Sequence, residues 1–189
     1  MLRKIAGRVV RYFAPPKTKQ EEILEKAMRL MTGYGPDWQG DYLEFGVGKS
    51  GTSFITAYHL ANRFGLSAMH FYAFDSFQGL PPIRGVDAEV PQFREGMYEC
   101  SQEQFIAKLR RESVDLERVT MVPGWYHEKL NEATKRTLPN LKRASIVWVD
   151  CDLYESTVPV LDFITEYITD GTIIIFDEWF CFRGSPTRG

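Results

Sequence analysis

The 189-residue chain has no long apolar run, little cysteine and no excess of either charge. Each lack closes off a class of protein. A bilayer span needs roughly 20 consecutive apolar residues, and no uninterrupted stretch of this sequence approaches that. Three cysteines, an odd number, make a poor disulfide framework and suit a reducing, cytoplasmic setting. Lysine and arginine total 23 against 25 acids, a formal net charge of −2. That balance carries no electrostatic footprint for nucleic acid. Internal repeats and low-complexity segments are also missing, which excludes solenoid and disordered classes. Of the three histidines, His59 falls in a helical pattern and His70 at a strand start, so both read as structural. His127 lies near the edge of the polar region described below. Cys151 sits between two acids without a nearby histidine, which argues against a nucleophile.

What remains is ordinary globular material: 44% hydrophobic and 25% charged residues, in a length that suits one domain with its own core. Residues 1–19, "MLRKIAGRVVRYFAPPKTK", form a basic segment with Leu2, Ile5, Val9 and Phe13 at helical spacing. Such a pattern packs on the domain or a partner subunit more often than it lies on an anionic membrane surface. It lacks the continuous apolar core of a secretory signal. The domain proper is read as residues 20–189.

From there the hydrophobic period alternates between helix and strand. "KQEEILEKAMRLMT" predicts a helix, "DYLEF" a strand and "TSFITAYHLANRF" a helix. "MHFYAFD" is the second strand, "SQEQFIAKLRRE" a helix capped by Ser101, and "RVTMV" the third strand. A single helix is expected around "HEKLNEATKR". "ASIVWVD", "STVPVLDFITEYI" and "GTIIIFD" then give strand, helix and strand. Alternation of this kind predicts an α/β fold with a doubly wound, mostly parallel sheet and right-handed crossovers. Strands one, four and five read as apolar runs buried on both faces, each close to an acid. The long connection over residues 76–100 is expected to act as a lid or substrate wall.

In such a sheet ligands bind at the carboxyl ends of the strands. Strand one ends at Glu44 and at Gly46, Gly48 and Gly51, a G-x-G-x-x-G spelling. Alone that motif is weak, and a pyrophosphate would be repelled by Glu44. S-adenosylmethionine has no phosphate and carries an ammonium and a sulfonium, which an acid suits. Glu44 is equally readable as a strand-end acid bonded to a neighbouring loop. Asp75 ends the second strand, where a carboxylate accepts ribose hydroxyls of an adenosine or caps the following turn. Ser53 and Ser76 belong to these same turns and are counted with them as cofactor residues. Gly124 and Trp125 end the third strand, and Trp125 stands where an adenine would stack or where a core residue would pack. Asp150, Asp152, Asp177 and Glu178 end strands four and five. Carboxylates that converge repel one another unless a cation joins them or some bind protons, and an all-oxygen set suits a hard ion such as Mg²⁺. Alternatively, Asp152 and Glu178 cap helices and only Asp150 and Asp177 face the site.

The stretches "YLEFGVGKSGTS", "FDSFQGLP", "EGMYECSQEQF", "VPGWYHEKL", "VDCDLYEST" and "GTIIIFDEW" together resemble the macrocin O-methyltransferase-like family of class I S-adenosylmethionine enzymes. The resemblance runs from Asp41 through most of the remaining chain. It implies a Mg²⁺-dependent O-methyltransferase acting on a hydroxyl of a sugar or glycosylated natural product. It assigns Glu44, Gly46 and Gly48 to the methionine end of the cofactor and Asp75 to the ribose. Asp150, Asp177 and Glu178 become metal ligands, with Asp150 also the general base. Gln78, Arg84 and Arg94 are candidates for the acceptor wall. Two departures touch the metal: Cys151 stands where the family usually has Gly, and Glu178 where Asp is common. The resemblance also implies two further strands after the fifth. A chain lacking them would be a fragment or an unusually short member, with an apolar edge that favours self-association. Three rival readings stay open: a nicotinamide-dependent oxidoreductase, a metal-dependent hydroxylase on the same fold, and a nucleoside-binding module without catalysis.

Overall fold

The computed structural model describes residues 17–35, 37, 39–89 and 91–179. The basic amphipathic pattern of residues 1–16 therefore lies outside the described residues. Five parallel strands form one sheet in the order β3-β2-β1-β4-β5. They are β1 (Asp41–Phe45), β2 (Phe71–Asp75), β3 (Val119–Pro123), β4 (Ala144–Val149) and β5 (Ile173–Phe176). Between them run α2 (Thr52–Arg63), α3 (Gln102–Arg111), α4 (Tyr126–Lys129), α5 (Glu132–Thr137) and α6 (Tyr154–Ile164), with α1 (Lys19–Tyr34) ahead of the sheet. Strand order reverses between β1 and β4, so the crevice that binds ligands in such sheets opens there.

Strand alternation divides the core into two. Tyr42, Phe71, Ala73, Ile146 and Trp148 point to one face and pack with α1, α2 and α3 through Leu24, Met28, Phe54 and Phe105. Leu43, Phe45, Tyr72, Phe74, Val147 and Val149 point to the other and pack with Val160 and Phe163 of α6. Burying each such large side chain contributes about 1.5–3 kcal/mol, so β1, β2 and β4, covered on both faces, anchor the fold.

Several boundaries follow from local chemistry. Ser101 caps α3 in a full capping box with Gln104. Thr18 caps α1 by accepting from the Glu21 amide. The single helix expected around "HEKLNEATKR" is instead two, α4 and α5. Asn131 interrupts it, because its side chain accepts from the amides of Ala133 and Thr134 and starts a new helix. Pro159 is the sixth residue of α6, so its missing donor removes one bond in the second turn. Strand five also differs from expectation. Its residues are only partly buried, and Ile174 is 37% exposed. Among the described residues, β5 is paired on one side, with β4.

Candidate active site

Each strand end delivers its residues to one cleft of about 950 Å³ along the carboxyl edge of the sheet. The ladder itself sets the acids side by side. Val149 pairs with Phe176. One residue further on, the Asp150 amide bonds to Phe45 O at 2.9 Å and the Asp177 amide to Val149 O at 3.0 Å. Asp150 and Asp177 are therefore neighbours by register.

The β1–β2 end is a closed network. Gly46 has φ 92, and a Cβ there would stand 1.8 Å from Asp150 O, so only glycine lets β1 turn this close to β4. The loop that follows is gathered by Asp75. Its Oδ2 accepts from the amides of Val47 at 2.9 Å and Gly48 at 3.1 Å, and its Oδ1 from the Phe77 amide at 2.7 Å. Asp75 is thus first a loop organiser, and the donors a pyrophosphate would need at Val47 and Gly48 already have a carboxylate. Burial raises its pKa against these bonds. Ser76 closes the next turn by donating to Gly79 O at 2.8 Å.

Glu44 lies beneath this loop and is absent from the cleft wall. Alternation places it on the same face as Tyr42, under α2, where it is fully buried. It accepts from Tyr42 Oη at 2.5 Å and from Ser53 Oγ at 2.6 Å. Burial pushes its pKa up to about 8, with Asp150 and Asp75 adding to the rise and the two hydroxyls opposing it. Ser53, by contrast, reaches the cleft, as do Gly46, Gly48, Asp75, Ser76, Gly124 and Trp125.

At the β4–β5 end, Asp150, Asp177 and Glu178 each offer an oxygen, and the three oxygens lie within 4.8 Å of one another. Burial and the neighbouring Asp177 raise the pKa of Asp150. Burial and the surrounding acids raise that of Glu178, which shares a hydrogen bond with Asp150. Trp148 Nε1 approaches Asp150 Oδ2 at 3.4 Å. An oxygen-only set under mutual repulsion fits a hard divalent cation, whose charge would remove the repulsion. Asp152 does not cap α6. It holds φ 60 on the cleft wall, and burial followed by Asp150 pushes its pKa to about 7. Glu178 belongs to the cluster with Asp150 and Asp177.

The long loop does form a wall. Arg84, Glu95, Met97 and Tyr98 line the cleft, whereas Gln78 and Arg94 are exposed and do not. His127 lines the rim. Two lining residues carried no sequence signal: Gln20, from the first turn of α1, and Asp87, a buried acid on the long loop.

A profile of the family described as Macrocin-O-methyltransferase (TylF) matches residues 22–186. The chain belongs to the macrocin O-methyltransferase family. Two curated relatives of this member are similar over about three quarters of its length. The 8-demethyl-8-(2,3-dimethoxy-alpha-L-rhamnosyl)-tetracenomycin-C 4'-O-methyltransferase of Streptomyces olivaceus is 30% identical over 148 residues, 74% of this chain and 53% of that protein. The demethyldecarbamoylnovobiocin O-methyltransferase of Streptomyces niveus is 26% identical over 155 residues, 77% and 55% of the two chains. Among solved structures, the O-methyltransferase NovP superposes with a TM-score of 0.71 at 23% identity, covering 84% of this chain and 64% of its own. The calicheamicin methyltransferase CalS11 gives 0.68 at 23% identity, covering 86% and 66%. At that identity these two speak for the α/β methyltransferase fold. The chain spans a little over half the length of the curated relatives it matches.

Proposed function

We propose that this chain is the catalytic domain of an S-adenosylmethionine-dependent O-methyltransferase whose acceptor is a hydroxyl of a sugar or glycosylated natural product. The observation that carries the reading is the division of one cleft. A glycine loop organised by the Asp75 carboxylate faces a cluster of three acids. A dinucleotide phosphate would meet Asp75 and find its amides taken; a sulfonium cofactor meets acids at both ends of the cleft. The sugar acceptor is supported by the Streptomyces olivaceus relative, a 4'-O-methyltransferase of a rhamnosyl-tetracenomycin.

In the proposed reaction the acceptor oxygen attacks the sulfonium methyl in line. The methyl C–S bond breaks as the new C–O bond forms, giving S-adenosylhomocysteine and a methyl ether. The hydroxyl proton passes to the Asp150 carboxylate, directly or through one water. In the cluster without an ion, burial and Asp177 raise the Asp150 pKa; it is the place of this carboxylate in the cleft, not that rise, that suits it to take the proton. Asp150, Asp177 and Glu178 would hold Mg²⁺, which supplies a Lewis acid that lowers the pKa of the acceptor hydroxyl. Ser53, Ser76, Gly124 and Trp125 would bound the cofactor, with Trp125 against the adenine and Asp75 beside the ribose. Glu44 would act from beneath the loop, holding Ser53 in place.

Transfer of labelled methyl from S-adenosylmethionine to rhamnosides, with Mg²⁺ and with chelator, tests the reading. Label is expected in the sugar with Mg²⁺ only. Oxidation of the same alcohols with NAD⁺, or hydroxylated products, would support one of the rival readings instead.

A further inference from the structure

Residues 81–89 form an arm of the long loop, ending in a 3-10 turn over Gly85–Glu89. The arm is mostly polar or exposed; even Val86 is 48% accessible. Asp87 is its single buried residue. A charge is the last thing to bury without cause, and the cause is on α6. Asp87 Oδ1 accepts from the Tyr154 amide at 2.8 Å and Oδ2 from the Glu155 amide at 3.0 Å. These are open donors of a helix whose own N-cap, Leu153, has no side chain to offer. The arm is pressed close at the same point, since a Cβ on Gly85 would stand 2.8 Å from Glu155 Oε1. At its base the loop folds back on itself, with Leu80 N bonded to Met97 O and Gly96 N to Leu80 O, both at 2.9 Å.

We propose that Asp87 is a positioning residue: it caps α6 from across the cleft and thereby fixes the acceptor wall relative to Asp150, Asp177 and Glu178. The inference rests on the methyltransferase reading for its functional consequence, though its structural half stands apart. Chain continuity supplies the coupling. α6 begins directly after "DCDL", so its first turn and the Asp150 loop move together. The arm carries Arg84 into the cleft on the other side. One carboxylate thus ties the wall that would meet the acceptor to the acids that would activate it. A capping acid also complements the positive end of the helix.

Asp87→Ala and Asp87→Asn separate this role from a merely structural one. Hydrogen exchange of the Tyr154 and Glu155 amides should accelerate roughly 10-fold in Asp87→Ala, as loss of a helix cap implies. Residues 81–89 should exchange faster as well. Asp87→Asn keeps one acceptor oxygen and should fall between the two, which keeps the test available if the alanine variant unfolds. With a rhamnoside as acceptor, KM should rise about 10-fold and kcat should fall less, while S-adenosylhomocysteine affinity stays within about twofold. Unchanged exchange at Tyr154, Glu155 and the arm overturns the cap. Faster exchange with an unchanged acceptor KM overturns the positioning role. Absence of methyl transfer by the wild-type protein would count against the activity reading and leave exchange to decide the cap.

Discussion

At the β1–β2 end of the cleft, the Asp75 carboxylate takes three backbone donors and Glu44 takes two hydroxyls. At the β4–β5 end, Asp150, Asp177 and Glu178 crowd one another, and Glu178 shares a hydrogen bond with another acid, Asp150. The same residue types thus do opposite work a few strands apart. In the first region the protein satisfies its own carboxylates and gains a fixed loop. In the second, among the described residues, the acids mainly answer one another, with Trp148 Nε1 near Asp150. A ligand that only needs a shaped surface suits the first end, and a cation suits the second.

Gly46→Ala should have the largest effect. The added Cβ meets Asp150 O at 1.8 Å and the backbone is held at φ 92. Strain and displacement should cost about 3 kcal/mol or more, enough to unfold a marginal domain. Denaturant unfolding measures it, and a loss under about 1 kcal/mol would mean the two ends are not locked together.

Asp75→Ala comes next. It strips three amides of their acceptor and should destabilise by about 2–3 kcal/mol, while S-adenosylhomocysteine binding weakens sharply. If the variant instead gained stability, the two ends would not differ in the way described.

Glu44 adds a pH signature. Its pKa is raised to about 8 in the folded protein from an ordinary 4.5, so the native state holds the proton more tightly than the unfolded chain. That contribution is complete below about pH 4.5 and is lost as pH climbs through 8, at up to about 1.4 kcal/mol per pH unit. Glu44→Gln should flatten the decline between pH 5 and 9 in melts of the metal-free protein. A profile equally steep in the variant would place the proton elsewhere.

How much of this was legible beforehand divides along physical lines. Period and strand-end chemistry are local properties of the chain, and they delivered the element order, the parallel sheet and the gathering of acids on one edge. The family followed from the same motifs. Orientation is not local. Glu44 alternates with Phe45, but nothing in "DYLEF" says that its face lies under α2 instead of toward the ligand. Asp75 looked free to meet a ribose because its bonds to Val47 and Gly48 span more than 25 residues. Asp87 carries no pattern, since it acts on α6, an element distant in sequence, and Gln20 reaches the cleft from a helix that precedes the sheet. The break between α4 and α5 was readable in hindsight, from Asn131 followed by an acid in the first turn. The exposure of β5 depends on what covers it, which a strand's own residues do not encode.

Asp177→Asn should have the smallest effect on stability and the opposite sign. Removing the Asp177 charge, which raises the pKa of both its acidic neighbours, should raise the melting free energy of the chelated protein by about 1 kcal/mol. A loss of stability would show that the cluster is satisfied without a cation.

The most direct test of the divided cleft is calorimetric binding of S-adenosylhomocysteine in chelator, followed by titration of Mg²⁺ into the same sample. The account predicts that S-adenosylhomocysteine binds without metal, that NAD⁺ does not compete, and that Mg²⁺ then binds at one site that Asp177→Asn abolishes. Tighter binding of NAD⁺, or S-adenosylhomocysteine binding that needs Mg²⁺, would contradict it.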